Sequence, residues 1–308
     1  METYHSFSEL KPSPVGAVTI GNFDGYHLGH ESLIRALLRE SGQEKSLLVT
    51  FSPHPREVLF PGTVVPKLSS SWEELESWLR ERGVSEALKL HFDRQLQDMS
   101  AEEFLQNLWS KRPFKHLVVG HDFALGSNRE GDASFLKNWT EAKGAQFHLL
   151  SAFKVNKEIV SSQKIREVLS KGGISLAAQF LGRNYSLSGR VVPGDGRGRS
   201  LQFPTANFEL EKGQLVPGHG VYAGWTHLKD HPPLASVANL GDRPTFESNR
   251  SDKRLEVHIL DFSRDLYGLD LKFEFVKRLR EERKFPSIDE LKSQIQMDVD
   301  AARKALKE

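Results

Sequence analysis

Two histidines, His27 and His30, are the residues whose type and spacing best fit phosphate chemistry in this sequence. An imidazole can donate a hydrogen bond to a phosphoryl oxygen while negative charge develops on that oxygen. The neighbouring Gly25 and Gly29 allow the backbone to approach a ligand closely. The segment 21–30 therefore predicts a nucleotide-phosphate site in which the two histidines act as donors in the transition state.

The elements around this segment support that interpretation. Residues 17–20 form an apolar run typical of a buried strand, and the apolar residues within 31–38 recur at helical spacing. The histidines thus fall at a strand-to-helix junction, where free N–H groups and the helix dipole favour a phosphate. Two alternatives stay open: a His-x-x-His metal pair, for which the chain has no cysteine to complete a thiolate site, and histidines that only cap the helix.

Composition limits the class of protein. The 308 residues are enough for two domains with separate cores. A net charge of +1 gives no general attraction for nucleic acid, so we expect no nucleic-acid partner. The absence of cysteine excludes disulfides and fits a cytoplasmic protein. No signal-peptide pattern and no run of about eighteen apolar residues is found, so no membrane partner is expected. A monomer and a weak homo-oligomer are both compatible with the sequence.

The first half alternates apolar runs with amphipathic stretches, and two of the predicted helices begin with capping boxes at Ser71 and Ser100. This alternation predicts a doubly wound parallel sheet, in which ligands bind beyond the carboxyl ends of the strands. The predicted strands are 17–20, 46–51, 87–90, 116–119 and 147–150.

From about residue 183 the pattern changes to short runs separated by glycine and proline, which predicts a small antiparallel barrel or sandwich. A final helix should begin with a capping box at Ser287. Its apolar stripe is predicted to be Ile288, Leu291, Ile295, Val299 and Ala302. The predicted strands are 185–192, 220–227, 234–238, 254–262 and 271–280. The fold class is α/β plus β, with domains at 1–182 and 183–308.

Three further segments of the first domain carry candidate residues. Residues 50–55 set His54 between two prolines that fix the backbone, although a structural turn is equally consistent. Residues 119–126 follow a strand and contain Asp122, which can contact ATP or a flavin or belong to a plain loop. Ser161 or Ser162 can cap a helix in which Arg166 adds positive charge near a phosphate; an ordinary capped helix is the alternative.

The second domain contains a glycine- and arginine-rich loop at 189–199 whose N–H groups can surround phosphates, or which can be a flexible hairpin. Thr205 and Asn207 alternate on an extended segment and so share a face. Their oxygens are hard ligands that suit Mg²⁺, although a simple turn also explains them. Glu256 alternates with apolar residues and shares a face with His258. Placed inside a barrel, its carboxylate can take a proton from an alcohol; a solvent-facing strand residue is the alternative.

The motif Gly-x-Phe-Asp-Gly-x-His-x-Gly-His at 21–30 resembles the signature of the nucleotidyltransferase superfamily. The segments 50–55, 119–126 and 160–166 resemble three motifs of bacterial FAD synthetases, in the same order. Ser52, Leu125 and Gln163 depart from those motifs. Gln163 removes a hydroxyl expected near the triphosphate, but its amide still donates a hydrogen bond.

Residues 189–207, 220–224, 244–246, 256–258, 265–268 and 278–285 together resemble riboflavin kinase, with Gln202 as a departure. The whole chain thus resembles bacterial bifunctional riboflavin kinase/FMN adenylyltransferases. The resemblance implies ATP-dependent conversion of riboflavin to FMN and of FMN to FAD. It assigns the catalytic base to Glu256, phosphate stabilisation to His27 and His30, and Mg²⁺ to Thr205 and Asn207.

The resemblance also implies two sets of binding residues. The nucleotide-binding set is Gly21, Phe23, Gly25, Gly29, Ser161, Ser162, Arg166, Gly194, Gly196, Gly198 and Arg199. The flavin-binding set is His54, Asp122, Tyr222 and Arg280. Two other functions stay open. One is a riboflavin kinase whose first domain is a weak or inactive transferase that only binds flavin or nucleotide. The other is a tRNA-directed nucleotidyltransferase relative, although no Lys-Met-Ser-Lys-Ser-like loop is visible.

Overall fold

The computed structural model describes residues 1–68, 71–194, 203–211, 213–243 and 252–307. The chain forms two compact units: Met1–Val65 with Ser71–Ser161, and Pro66–Ser70 with Ser162–Glu308. The second unit thus begins earlier in the chain than the boundary at 182/183, which stays a prediction. Within the described ranges, no helix is long and apolar enough to cross a membrane.

The first unit is built on a six-stranded sheet in which every neighbouring pair is parallel. The strand order is β1-β4-β3-β2-β5-β6. The strands are β1 (Glu2–Tyr4), β2 (Val15–Ile20), β3 (Ser46–Ser52), β4 (Glu86–His91), β5 (Phe114–Gly120) and β6 (Gln146–Leu150). All five predicted strands are present, and the short edge strand β1 is an addition.

Helices cover both faces of this sheet. They are α1 (Leu28–Ser41), α2 (Pro55–Leu59), α3 (Trp72–Glu81), α4 (Arg94–Asp98), α5 (Ala101–Lys111) and α6 (Ala133–Ala142). One core cluster joins β-strand residues to α5 and α6, and a second joins them to α1 and α3. The doubly wound arrangement is therefore confirmed. The predicted serine caps are also present, because Ser71 and Ser100 accept the backbone N–H of Glu74 and Glu103. A hairpin of β7 (Lys154–Val155) and β8 (Glu158–Ile159) follows β6.

The second unit is a closed antiparallel barrel with the order β10-β13-β12-β11-β14-β9, which decides for a barrel over a sandwich. Its elements are α7 (Ser162–Ser170), α8 (Ile174–Leu181), β9 (Tyr185–Val192), β10 (Ala206–Leu210), β11 (Gly220–His227), β12 (Leu234–Arg243), β13 (Asp252–Ile259), β14 (Asp270–Arg280) and α9 (Ile288–Ala305). Residues 66–70, an excursion from the first half of the chain, also belong to the second unit. The N–H of Lys67 donates to the carbonyl of Gly213, and the carbonyl of Lys67 accepts the N–H of Leu215.

Side chains alternate between the interior and the outer face of the barrel. Leu255 and Val257 are fully buried inside, opposite Phe208 and Ala206 of β10. Glu256 lies between them on the outer face, so the expected position inside the barrel is wrong. Its predicted shared face with His258 is confirmed by the alternation of buried and exposed positions along β13.

Helix α9 packs on the outer face of the barrel. Ser287 caps it by accepting the N–H of Glu290, as predicted. The predicted apolar stripe is only partly correct: Val299 and Ala302 are buried, but Ile288 is 64% exposed. Two polar residues, Gln294 and Asp298, complete the buried face. Burial of these groups requires hydrogen-bonding partners, which the last residues of β14 and the loop after it supply.

Candidate functional site

The two histidines of the first unit form a stacked pair at the start of α1. Their ring centroids lie 3.7 Å apart with an interplanar angle of 15°. His27 is the N-cap residue, and its Nδ1 accepts the backbone N–H of His30 at 3.2 Å. Because Nδ1 is the acceptor, neutral His27 carries its proton on Nε2. His27 therefore caps the helix through Nδ1 and carries its N–H donor on the opposite ring nitrogen.

The glycines of this segment are required by close packing. A Cβ at Gly29 would lie 3.0 Å from Cε1 and Nδ1 of His27, so a side chain there would press on the histidine ring. Phe23, Gly25 and Tyr26 have left-handed backbone conformations, which turn the chain sharply between β2 and α1. Gly21 is close to the ring of Phe23, where a Cβ would lie 3.2 Å from Cε2.

Phe23 packs against His30, one member of the pair. It is only 1% exposed, and its ring centroid lies 5.1 Å from that of His30. A side chain with so little accessible surface packs against the donor and holds its orientation. Its expected contact with a nucleotide gains no support from this position.

Three neighbouring strands end at the same edge of the sheet. The order β3-β2-β5 places the segments after Ser52, Ile20 and Gly120 side by side, as the sequence predicts. His54 follows β3 and caps α2 by accepting the N–H of Arg56 at 3.2 Å. Asp122 follows β5, and its side chain is 81% exposed. The structure thus brings the predicted segments 21–30, 50–55 and 119–126 to one edge of the sheet in the first unit.

The predicted phosphate motif at 160–166 includes the last residues of the first unit and the first residues of the second. Ser161 ends the first unit, and Ser162 begins both α7 and the second unit. The Nε of Arg166 donates to the carbonyl of Pro66 at 2.8 Å, and Gln163 is exposed. The roles of Ser161, Ser162 and Arg166 near a triphosphate stay predictions.

The second unit brings Asn207 and Glu256 together. They are directly opposite each other in the β10–β13 ladder. The Nη1 of Arg254 lies 3.5 Å from the amide oxygen of Asn207 and 4.0 Å from Oε1 of Glu256. Sequence reasoning missed Arg254, although its position two residues before Glu256 in a strand puts it on the same face. One guanidinium therefore lies between the predicted ligand and the predicted base.

Gly194 lies directly against Asn207. A Cβ at Gly194 would be 2.2 Å from Nδ2 of Asn207, a distance that no side chain can accommodate without a shift. Thr205 precedes β10 and alternates with Asn207 on the extended chain. The hydroxyl of Thr205 and the amide oxygen of Asn207 are hard oxygen ligands of the kind that fits Mg²⁺. The expected phosphate contacts of Gly196, Gly198 and Arg199, the departure at Gln202 and the motif segment 244–246 lie outside the residues that the structure describes.

Two of the predicted flavin-binding side chains are engaged elsewhere. Tyr222 has no exposed area, its hydroxyl donates to the carbonyl of Gly218, and burial raises its pKa. Arg280 makes a bidentate ion pair with Asp298 of α9, with Nη2 to Oδ2 at 2.8 Å and Nε to Oδ1 at 2.9 Å. The geometry therefore does not support a flavin-binding role for either residue. Tyr222 fills the barrel core, and Arg280 holds α9 against the barrel.

A cavity of about 640 Å³ lies on the second unit. Glu282 lines it and accepts a hydrogen bond from Asn239 at 3.5 Å. Asn239 is in turn opposite Glu256 in the β12–β13 ladder, so a chain of contacts connects the cavity wall to the face that bears Glu256. Its other lining residues are Ser170, Lys171, Gly218, His219, Arg278 and Glu281.

The fold and the two sites define a class of two-module proteins that join a nucleotidyltransferase-like α/β sheet to a riboflavin-kinase-like barrel. Family models agree: one described as FAD synthetase matches residues 11–164, and one described as riboflavin kinase matches residues 181–306. The chain belongs to the bifunctional riboflavin kinase/FMN adenylyltransferase family.

Individual relatives are similar over nearly their whole length. The bifunctional riboflavin kinase/FMN adenylyltransferase of Escherichia coli K12 is 38% identical over 303 residues, covering 97% of this chain and 95% of its own. That of Haemophilus influenzae is 38% identical, with 93% of each chain covered. A crystal structure described as a macrolide-efflux protein from Streptococcus pneumoniae superposes with a TM-score of 0.89, at 28% identity and 98% coverage of both chains.

Proposed function

We propose that this chain makes flavin cofactors in two ATP-dependent steps. Its second unit phosphorylates riboflavin to FMN, and its first unit transfers AMP from ATP to FMN, giving FAD and pyrophosphate. The observation that carries the proposal is the stacked pair of His27 and His30 on the N-terminus of α1, in a chain that matches both family models. We further propose a cytoplasmic protein, monomeric or weakly homo-oligomeric, with no nucleic-acid partner.

In the first unit, a phosphate oxygen of FMN attacks the α-phosphorus of ATP, and the bond to the bridging oxygen of pyrophosphate breaks. No covalent enzyme intermediate is needed. Nε2–H of His27 and the ring of His30 donate to the oxygens on which charge builds up. The free N–H groups at the start of α1 add to this stabilisation. Gly21, Gly25 and Gly29 keep the surface low enough for the phosphates to approach.

In the second unit, the 5′-hydroxyl of the riboflavin ribityl chain attacks the γ-phosphorus of ATP, and ADP leaves. Glu256 accepts the hydroxyl proton, for which its outward, 38% exposed side chain is accessible. Arg254 is close enough to orient this carboxylate and to neutralise part of the phosphate charge. Thr205 and Asn207 would hold Mg²⁺, which when bound neutralises phosphate charge.

The cavity beside Glu282 is our candidate for the riboflavin site. It is an open depression lined mostly by polar and charged residues, so its candidacy depends on its connection to the strand that faces Glu256. The contact of Glu282 with Asn239 connects it to the strand that faces Glu256, so a ligand there could direct its ribityl chain toward the base. The flavin-binding roles of His54 and Asp122 are proposed for FMN at the carboxyl edge of the first unit.

The test is incubation of the purified protein with riboflavin, ATP and Mg²⁺, followed by separation of the flavins and assay of pyrophosphate. We expect FMN, then FAD, with one pyrophosphate released for each FAD. Formation of FMN alone, with no pyrophosphate released from supplied FMN and ATP, would contradict the second step. It would favour an inactive transferase unit, an alternative suggested by Gln163 in place of the expected hydroxyl residue. Absence of both flavin products would overturn the proposal, and salt-sensitive binding of RNA would then favour a tRNA-directed relative.

A further inference from the structure

A second group of histidines lies in the first unit, on elements that the proposed chemistry does not use. Glu40 is near the end of α1, His116 is in β5 and His148 is in β6. One ligand atom from each lies within 4.8 Å of the other two. Three separate elements thus bring two imidazoles and a carboxylate to one point.

The distances are close to those of a metal site. Nδ1 of His116 is 3.0 Å from Nε2 of His148, and the same Nε2 is 3.9 Å from Oε2 of Glu40. Tetrahedral coordination with bonds of about 2.0–2.1 Å separates neighbouring ligand atoms by about 3.3 Å. The distance between the two imidazole nitrogens is already close to this value, and the Glu40 oxygen, which lies within 4.8 Å of both, must move closer to bind the same ion.

The surrounding structure orients the ligands. Oε1 of Glu40 accepts from Nε of Arg39 at 2.8 Å, which leaves Oε2 on the side of His148. In the β5–β6 ladder, His116 is opposite Gln146 and His148 is opposite Val118, so both rings project from the same face of the sheet. A partner that fixes the second oxygen of a carboxylate is a common support for a metal ligand.

Burial is intermediate for all three residues, so an ion can reach them from solvent.

We propose that Glu40, His116 and His148 bind one divalent transition-metal ion, with solvent as the fourth ligand. Two imidazoles and one carboxylate favour Zn²⁺, and also Co²⁺ or Ni²⁺, over Mg²⁺. The site is distinct from the carboxyl edge, because His116 lies four residues before the end of β5, about 13 Å along the strand. A bound ion would fasten the end of α1 to β5 and β6.

The test uses full-length protein without a polyhistidine tag, dialysed against Zn²⁺ in the presence of excess Mg²⁺. We expect one equivalent of Zn²⁺ per chain, and a visible spectrum typical of tetrahedral coordination when Co²⁺ replaces it. His148→Ala and Glu40→Gln should each weaken binding by more than about 100-fold, since loss of a direct ligand exceeds the effect of losing an outer partner. Glu40→Gln keeps an oxygen for Arg39, so its fold should be retained.

Two control variants make the assignment specific. His5→Ala removes an exposed histidine of the same unit and should leave Zn²⁺ affinity unchanged. His30→Ala removes half of the other candidate metal pair and should retain the bound equivalent. The proposal is overturned if the unmodified protein binds no stoichiometric Zn²⁺, if His148→Ala and Glu40→Gln bind as well as it does, or if His30→Ala abolishes binding.

Discussion

Asn207 and Glu256 face each other across neighbouring strands of the barrel, on its outer surface. Their side chains share the guanidinium of Arg254, which lies within 4.0 Å of both. A neutral oxygen ligand, a cation and a carboxylate are therefore fixed on two rigid strands instead of on loops. This arrangement limits the freedom of the groups for which we propose contacts with a phosphate and an alcohol, and rigid positioning is a large part of catalysis in phosphoryl transfer.

Glu256→Gln should reduce FMN formation by about 10²–10⁴-fold, since loss of a general base has that range of effects. FAD formation from supplied FMN should persist, because the first unit is unchanged. The two reactions can be assayed separately by starting from riboflavin or from FMN. Glu209→Gln, at an exposed residue of β10, is the matched control. Unimpaired FMN formation by Glu256→Gln would refute the assignment of the base.

His30→Ala should slow FAD formation by about 10²–10³-fold, equivalent to roughly 2.7–4 kcal/mol of transition-state stabilisation. The rate of FMN formation should not change. Steady-state rates of pyrophosphate release give the measurement, with His5→Ala as the control for loss of a histidine from the same unit. An equal fall in both activities would instead indicate that His30 acts in folding.

Gly194→Ala should weaken the use of ATP by the second unit. The new Cβ would meet the amide of Asn207 at 2.2 Å, so the loop or the amide must move. We expect a higher KM for ATP in FMN formation, with the adenylylation of supplied FMN as the internal control. Unchanged kinetics would show that the loop can shift away without disturbing Asn207.

Asp298→Asn should destabilise the second unit by about 1.5–3 kcal/mol, because it weakens hydrogen bonds to the Arg280 guanidinium. Chemical denaturation monitored by circular dichroism measures this loss. Asp261→Asn is the matched control, since it weakens the solvent-exposed bidentate pair between Arg303 of α9 and Asp261, two residues after β13. Water and salt screen an exposed pair, so the loss of stability in this control should be smaller than in Asp298→Asn. If the Asp298→Asn protein had full stability and a raised KM for riboflavin, the result would support the original assignment of Arg280 to flavin binding.

Local sequence patterns predicted most elements because strands and helices differ in the period of their apolar residues. They missed β1, which has three residues and lies at an edge, and β10, which begins two residues after Pro204 in a segment that resembles a turn. They could not supply strand order or register, which depend on contacts distant in sequence. The opposition of Asn207 and Glu256 is one such relationship.

The sequence was also a poor guide to which polar residues are buried. Asp298 looks like a solvent-facing residue of an amphipathic helix, and only the arrival of Arg280 from β14 makes its burial favourable. Tyr222 belongs to a segment that resembles a ligand-binding motif, yet its ring fills the barrel interior. Motifs therefore indicated which segments carry candidate residues, whereas the choice between a ligand contact and a supporting role depends on tertiary structure.

The excursion 66–70 makes the two units inseparable by a single cut. The chain leaves the first unit after Val65, returns to it at Ser71 and leaves again after Ser161. A fragment that starts at residue 162 or 183 would lack Lys67, whose backbone pairs with Gly213 and Leu215. The second unit therefore includes a short peptide that is encoded within the first half of the gene. Recombination that replaces either half with a foreign sequence would break the pairing of Lys67 with Gly213 and Leu215, because the partners are encoded in different halves.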